Sequence, residues 1–156
     1  MNINKSKILD LQKKVIIIIE DPLDNYKGTT FEALINMSGK AKDGSGMPFV
    51  NINKNIDVIQ TPDRKSMINE NKKFIGITRP DFTKVRENPP SPIHHQLGNQ
   101  MVMMNFSEID VFLEQYIKFF SDKGHAFRLK PNNLRYFETK IPEPKQQDKK
   151  LSYAPR

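Results

Sequence analysis

The sequence predicts an α+β fold in which a small, mainly antiparallel sheet packs against one long amphipathic helix at about residues 107–122. Three observations predict it. Apolar residues recur at helical spacing in that stretch, several shorter segments are β-branched or alternate apolar and polar residues, and prolines concentrate in two places. Because proline interrupts regular structure, we expect extended, proline-rich arms at residues 79–100 and 142–156 around a compact domain.

The helix at residues 107–122 has the strongest periodicity in the chain. Ser107 is the predicted N-cap, and Gly124 follows the last turn, where a left-handed residue commonly ends a helix. We expect the apolar face to cover the sheet. The face consists of Ile109, Phe112, Leu113, Tyr116, Ile117 and Phe120.

Four segments have the composition of strands. Val15 to Ile19 is β-branched throughout, which is typical of a strand buried on both faces. Residues 49–53 and 56–60 alternate, and a tight turn between them predicts a hairpin. Residues 73–78 predict a further strand, in which Gly76 indicates a bulge or a close approach of other groups.

Other stretches give weaker signals. Residues 5–13 and 30–37 predict short helices, whereas residues 61–71 are polar and predict a surface loop. Residues 125–130 and 134–141 alternate around Pro131, so we expect a terminal hairpin.

The domain organisation follows from these elements. Residues 1–78 form the N-terminal part of a single α+β domain, and residues 79–100 form an extended connecting arm. Residues 101–141 complete the same domain with the helix and the terminal hairpin, and residues 142–156 form an extended tail.

The charge balance favours an acidic partner. The 156 residues carry a formal net charge of +7, which fits nucleic acid, an acidic protein lattice or an anionic membrane surface. The abundance of isoleucine, asparagine and lysine has a second explanation, a coding bias that makes the charge incidental. Arginine is the scarcer cation here and the better bidentate reader of bases, so sequence-specific nucleic-acid recognition is not favoured.

Several classes of protein are excluded by composition. The chain has no cysteine, which excludes disulfides, thiolate metal sites and cysteine nucleophiles. The longest apolar run is Val15 to Ile19, far shorter than a membrane span, and the N-terminus lacks the features of a signal or transit peptide. We therefore expect a cytoplasmic protein, or one within a particle assembled in the cytoplasm.

No catalytic constellation is visible. Glu20, Asp21 and Asp24 are candidate Mg²⁺ ligands, but acids are also common turn residues. His94 and His95 are adjacent and lack the spacing of helical zinc ligands, and no Ser-His-Asp signature is present. We predict a protein that is not an enzyme and has neither a cofactor nor a metal site.

The candidate binding residues fall into two sets. Cations interleaved with aromatic residues near the C-terminus can bind a nucleic-acid backbone and stack on bases, although Phe127 and Leu129 could equally face the core. That set is Arg128, Lys130, Arg135, Tyr136 and Lys140. The second set lies in the arms and predicts contacts with neighbouring subunits: Pro89, Pro90, Pro92, Pro142, Pro144, Leu151 and Tyr153.

The leading functional hypothesis is a non-enzymatic structural subunit of a large assembly. A virion or phage-tail particle, a cytoskeletal filament and a ribonucleoprotein all fit this hypothesis. The alternative is a basic nucleic-acid-binding protein that uses the hairpin at residues 125–141.

Overall fold

The sheet structure is parallel throughout the described part of the chain. The computed structural model describes residues 6–20, 23, 25–39, 48–81, 87–122, 124–138 and 142. Strands β1 (Ile18–Ile19) and β2 (Met37–Ser38) form one parallel pair. Strands β3 (Val50–Lys54), β4 (Ile75–Arg79) and β5 (Met101–Val102) form a parallel three-stranded sheet in that order. The predicted antiparallel sheet is therefore wrong.

Within the described residues, one bridge joins the two sheets. Ser38 pairs in parallel with Phe49, and the Ser38 N–H donates to the Pro48 carbonyl over 3.1 Å. All five strands therefore lie side by side in chain order, with their carboxyl ends at one edge.

Helices supply the crossovers that parallel neighbours require. Helices α1 (Asn55–Ile59) and α2 (Arg64–Lys73) connect β3 to β4. Helix α3 (Ser91–Gln96) lies between β4 and β5, and α4 (Val111–Ser121) follows β5. The predicted strand at residues 56–60 and the predicted loop at residues 61–71 are therefore wrong. The predicted hairpin is wrong as well, because β3 leads directly into α1.

One face of the sheet is apolar. Paired residues of neighbouring parallel strands share a face, and alternate residues of a strand lie on opposite faces. Met37, Val50 and Ile77 form the fully buried centre of this face. Partly buried apolar side chains surround that centre: Leu11, Ile16, Ile18, Ile52 and Ile75.

The opposite face of β3 and β4 is polar. Asn51 pairs with Gly76, and Asn53 pairs with Thr78. Asn51 Nδ2 donates to Asn71 Oδ1 of α2 over 3.2 Å. A hydrogen bond between side chains therefore helps to attach α2 to this face.

The long helix is shorter than predicted. It begins at Val111 because Asp110, not Ser107, is its N-cap, and the Asp110 carboxylate accepts from the Leu113 N–H at 2.8 Å. Leu113 is buried, but Ile109 and Ile117 of the predicted apolar face are 80% and 49% exposed. The predicted packing of this helix over the sheet is wrong, because α4 packs chiefly against α3.

The described parts of the predicted arm, residues 79–81 and 87–100, belong to the domain. Proline is accepted in the first turn of a helix, and α3 begins at Ser91 with Pro92 in that turn. The extended arm is therefore wrong for these parts. The predicted terminal hairpin is also wrong, since described residues 124–138 contain no strand, and a 3-10 helix at Asn132–Leu134 takes the place of its turn.

Candidate functional site

Two of the predicted nucleic-acid-binding cations donate hydrogen bonds inside the domain. Lys130 Nζ donates to the carbonyls of Asn71 and Gly98 over 3.1 and 2.6 Å. Burial lowers the pKa of Lys130 to about 8, because the charged form loses hydration. Arg135 Nε donates to the Lys130 carbonyl. Lys130 therefore attaches the C-terminal segment to α2 and to the loop after α3, whereas the hydrogen bond of Arg135 lies within the segment itself.

Arg128 is exposed but lies against α4. Its guanidinium carbon is 3.9 Å from the centroid of the Phe119 ring, and Nη1 donates to the Phe119 carbonyl over 2.8 Å. The ring of Phe119 also stacks on His95, with centroids 4.6 Å apart. Arg128 therefore helps to fix the chain that follows α4 onto that helix.

Of the remaining residues in this predicted set, Tyr136 is 64% exposed. Lys140 lies outside the described residues. Arg128, Lys130 and Arg135 thus lie on one segment, but the contacts of their side chains are with the domain itself. Binding of nucleic acid by these residues stays a prediction.

The predicted partner-binding prolines differ in exposure. Pro89 is fully buried and Pro90 half-buried, whereas Pro92 and Pro142 are exposed. Pro144, Leu151 and Tyr153 lie outside the described residues. Burial makes Pro89 part of the domain core, so Pro92 and Pro142 are the described members of the set that remain open to a partner.

Exposed apolar side chains concentrate on α4 and the segments that flank it. Among the described residues, seventeen large apolar side chains are exposed, and ten of them lie between Met101 and Phe137. We call the exposed apolar side chains from residue 106 onward the α4 surface. Its members are Phe106, Ile109, Val111, Ile117, Phe127, Leu129, Tyr136 and Phe137.

A shallow groove of about 380 Å³ lies on the α4 surface at the carboxyl end of the helix. Its walls are mostly apolar because α4 contributes aromatic and aliphatic side chains and the chain then turns back at Gly124, whose φ is +63°. The lining consists of Tyr116, Ile117, Phe120, Ser121, Gly124, His125 and Ala126. Such a groove suits an apolar side chain of another molecule.

The carboxyl-end edge of the sheet holds a buried chain of hydrogen bonds, which we call the His94 network. His94 is fully buried; its Nδ1 lies 3.1 Å from Thr78 Oγ1 and its Nε2 lies 2.9 Å from Asn55 Oδ1. Asn55 Nδ2 donates to the Asp81 carboxylate over 3.0 Å.

One tautomer satisfies every member of the His94 network. A carboxylate only accepts, so Asn55 must donate with its NH₂ group and accept with its oxygen. His94 then carries its proton on Nε2, and Nδ1 accepts from the Thr78 hydroxyl. Burial, chiefly, lowers the pKa of His94 to about 4, which keeps the ring neutral at pH 7.

The Thr78–His94–Asn55 order is that of a hydroxyl nucleophile, a base and an orienting group. Thr78 is fully buried, however, and a nucleophile must reach its substrate. The arrangement therefore supports a structural role.

Glu20, one of the candidate metal ligands, contacts Arg79 Nε at 3.1 Å, and Asp21 and Asp24 lie outside the described residues. Within the described ranges no three acids or histidines are grouped as metal ligands would be.

A second polar cluster surrounds Gly76. Asn71 Nδ2 donates to the Leu97 carbonyl over 2.9 Å and to Asn99 Oδ1 over 3.2 Å. Gln100 accepts from the Gly76 N–H and donates to the Asn71 carbonyl. Sequence reasoning missed this cluster, and the one available signal was Gly76 within a strand.

Comparison with known protein families, with curated proteins and with solved structures finds no match to this chain. None of the helices in the described ranges has the length and apolar content needed to cross a membrane.

Proposed function

We propose that this protein is a non-enzymatic structural subunit of a larger assembly and that it contacts other protein subunits through the α4 surface. The observation that carries the proposal is the concentration of exposed apolar side chains on α4 and its flanking segments. Phe127 and Leu129 are 67% and 80% exposed although they lie beside the helix. Clusters of exposed apolar side chains mark interaction sites in folded proteins.

The hydrogen bonding of the cations favours a protein partner over nucleic acid. Lys130 and Arg135 are half-buried and donate to backbone carbonyls, and Arg128 donates to the Phe119 carbonyl. These donors are therefore engaged, while apolar and aromatic groups face solvent beside them. Interfaces between proteins are enriched in aromatic residues at their centre, which fits Phe127, Tyr136 and Phe137.

The test is the size of the native particle and its dependence on the α4 surface. We expect the chain, fractionated from a lysate of its source cells, to elute with a high-mass particle that resists nuclease and high salt. Phe127→Ser combined with Leu129→Ser should shift the chain to the monomer position. The matched control is Leu9→Ser combined with Val15→Ser, because these apolar side chains lie elsewhere and are similarly or more exposed.

The outcomes separate the proposals. Elution as a monomer in every case, or equal effects of the two double variants, contradicts a role for the α4 surface. A high-mass particle that dissolves on nuclease treatment or at high salt supports nucleic-acid binding. For that second candidate the favouring observation is the exposure of Tyr136 and Phe137 in a cationic segment, and Tyr136→Ala should then weaken binding of a single-stranded oligonucleotide.

A further inference from the structure

The imidazole of His94 links helix α3 to the sheet. The ring of His94 contacts Thr78 of β4 on one side and Asn55, the first residue of α1, on the other. The helix is only six residues long, so each anchor carries a large part of its attachment. His94 therefore ties three elements together at one buried point.

The attachment depends on the protonation state of the ring. In the neutral tautomer, Nδ1 accepts from the Thr78 hydroxyl and Nε2–H donates to Asn55. A proton added at Nδ1 turns that acceptor into a donor, so the Thr78 hydroxyl loses its acceptor and must rotate. The cation would also lie in a site that excludes water, where an ionised group is strongly disfavoured.

The charges around His94 do not offset that burial. Asp81, reached through Asn55, favours the cation, whereas His95 on the same helix opposes it. Burial and, after it, the charge of Arg128 lower the pKa of His95 as well. The charged side chains of α1 and α4 are all exposed to solvent, which screens them: Asp57, Glu114 and Lys118.

We propose that α3 is an acid-released clasp: uptake of a proton by His94 detaches α3 from β4 and α1 and opens the carboxyl-end edge of the sheet. This inference is independent of the proposed assembly function, because it concerns the attachment of α3 within one chain.

The direction of the pH dependence follows from linkage. The pKa of His94 is about 4 when α3 is attached and rises to the ordinary value of 6.5 when it is released. The open form therefore binds more protons between these values, and the attached form loses stability as pH falls through this window. From pH 7.5 to pH 5 the equilibrium should move towards the open form by about 30-fold.

Introduced thiols can measure the opening, because the chain has no cysteine. Ser91 is buried in α3 and close in size to cysteine, whereas Gln96 is exposed on the same helix. The experiment compares the rate of thiol labelling in Ser91→Cys with that in Gln96→Cys at pH 7.5 and pH 5. The ratio of the two rates removes the intrinsic pH dependence of the thiol.

We expect the labelling ratio to rise by about 10- to 30-fold at pH 5 and to rise much less when His94→Gln is added to both variants, where only the smaller effect of His95 remains. A ratio independent of pH overturns the proposal, and so does an equal rise in the His94→Gln background. Should His94→Gln fail to fold, the ring carbon resonances of His94 in the unmodified chain decide. A titration midpoint well below 6.5 supports the clasp, and a midpoint near 6.5 contradicts it.

Discussion

Gly76 is the residue with the least room for a side chain among the glycines whose surroundings the structure describes. A Cβ atom built at this position would lie 2.3 Å from Asn71 Oδ1 and 2.6 Å from Asn99 Oδ1. Both oxygens belong to buried asparagines, and Asn71 Nδ2 donates to Asn99 Oδ1 as well as to the Leu97 carbonyl. Neither can withdraw without leaving a buried polar group without a partner.

We expect Gly76→Ala to destabilise the fold by about 2–4 kcal/mol, because the new methyl group forces the asparagine pair apart. Denaturant unfolding followed by circular dichroism measures the change. Gly39→Ala is the matched control, since its Cβ would meet Ile52 Cδ1 at an ordinary contact distance of 3.5 Å. Equal stability of the two variants would contradict the close approach at Gly76.

The sequence indicated the special position of Gly76 but not its cause. A glycine within a β-branched segment predicts a bulge or a close approach, and the close approach is confirmed. The approaching groups, Asn71 and Asn99, lie in a stretch predicted as a loop and in one predicted as an arm. A buried asparagine leaves no periodic signal, because its burial depends on hydrogen bonds formed only in the folded chain.

At the scale of elements, helix α4 begins at a different residue from the one that the sequence pattern predicts. The sequence offers Ser107 as the N-cap, but the chain turns into the helix only at Asp110. The Asp110 carboxylate accepts from the Leu113 N–H and from the Asn88 N–H over 2.8 and 2.9 Å. Desolvation opposes the charge of Asp110, but these hydrogen bonds outweigh it and hold its pKa below the usual value.

We expect Asp110→Ala to lower the free energy of unfolding by about 1–2 kcal/mol at pH 7, because α4 loses its cap. Ser107→Ala should change it by less than about 0.5 kcal/mol, since an exposed residue outside the helix makes no cap. In the unmodified chain, the stability contributed by the Asp110 carboxylate should be present above about pH 4 and should be lost as the pH falls further. The reason is that the pKa of Asp110 is lower in the folded chain than in the unfolded chain. A larger loss of stability in Ser107→Ala than in Asp110→Ala would contradict this N-cap and favour the helix start at Ser107 that the sequence predicts.

Periodicity identified the elements that pack through apolar contact and failed for those that pack through polar contact. The strands β3 and β4 were predicted close to their observed bounds because Val50, Ile52, Ile75 and Ile77 alternate towards the apolar face. Helix α2 has no apolar stripe, and its single buried residue is Asn71. Its one local signal is Asp63, whose carboxylate accepts from the Ser66 N–H in a typical N-cap.

The parallel sheet could not be predicted from strand patterns alone. Residues 56–60 alternate as a strand does, but only Val58 is buried there, and five residues are too few to separate the two periods. Once these residues form α1, the chain between β3 and β4 is long enough for a crossover, and a parallel pair becomes possible. This misassigned short element, together with the predicted terminal hairpin, therefore led to the wrong strand direction for the sheet.

At the scale of the whole molecule, the C-terminal segment closes the polar side of the domain. Leu134 is buried, and its 3-10 helix packs against α2. Lys130 spans two backbone carbonyls that belong to different elements, α2 and the loop after α3. The segment therefore joins parts of the fold that are far apart in sequence, although the sequence predicted a terminal hairpin here.

Two truncations test whether this segment is part of the domain. We expect a chain ending at residue 141, which lacks the predicted partner-binding tail, to keep the unfolding free energy of the full chain. A chain ending at residue 123 should lose about 2–4 kcal/mol, because burial of Leu134 and the two hydrogen bonds of Lys130 are removed. Denaturant unfolding at low and at high salt measures both, and the loss should hardly depend on salt, since it comes from buried contacts. Equal stability of the two truncated chains would mean that residues 124–138 do not dock in solution, and a loss already present at residue 141 would place part of the domain within the tail.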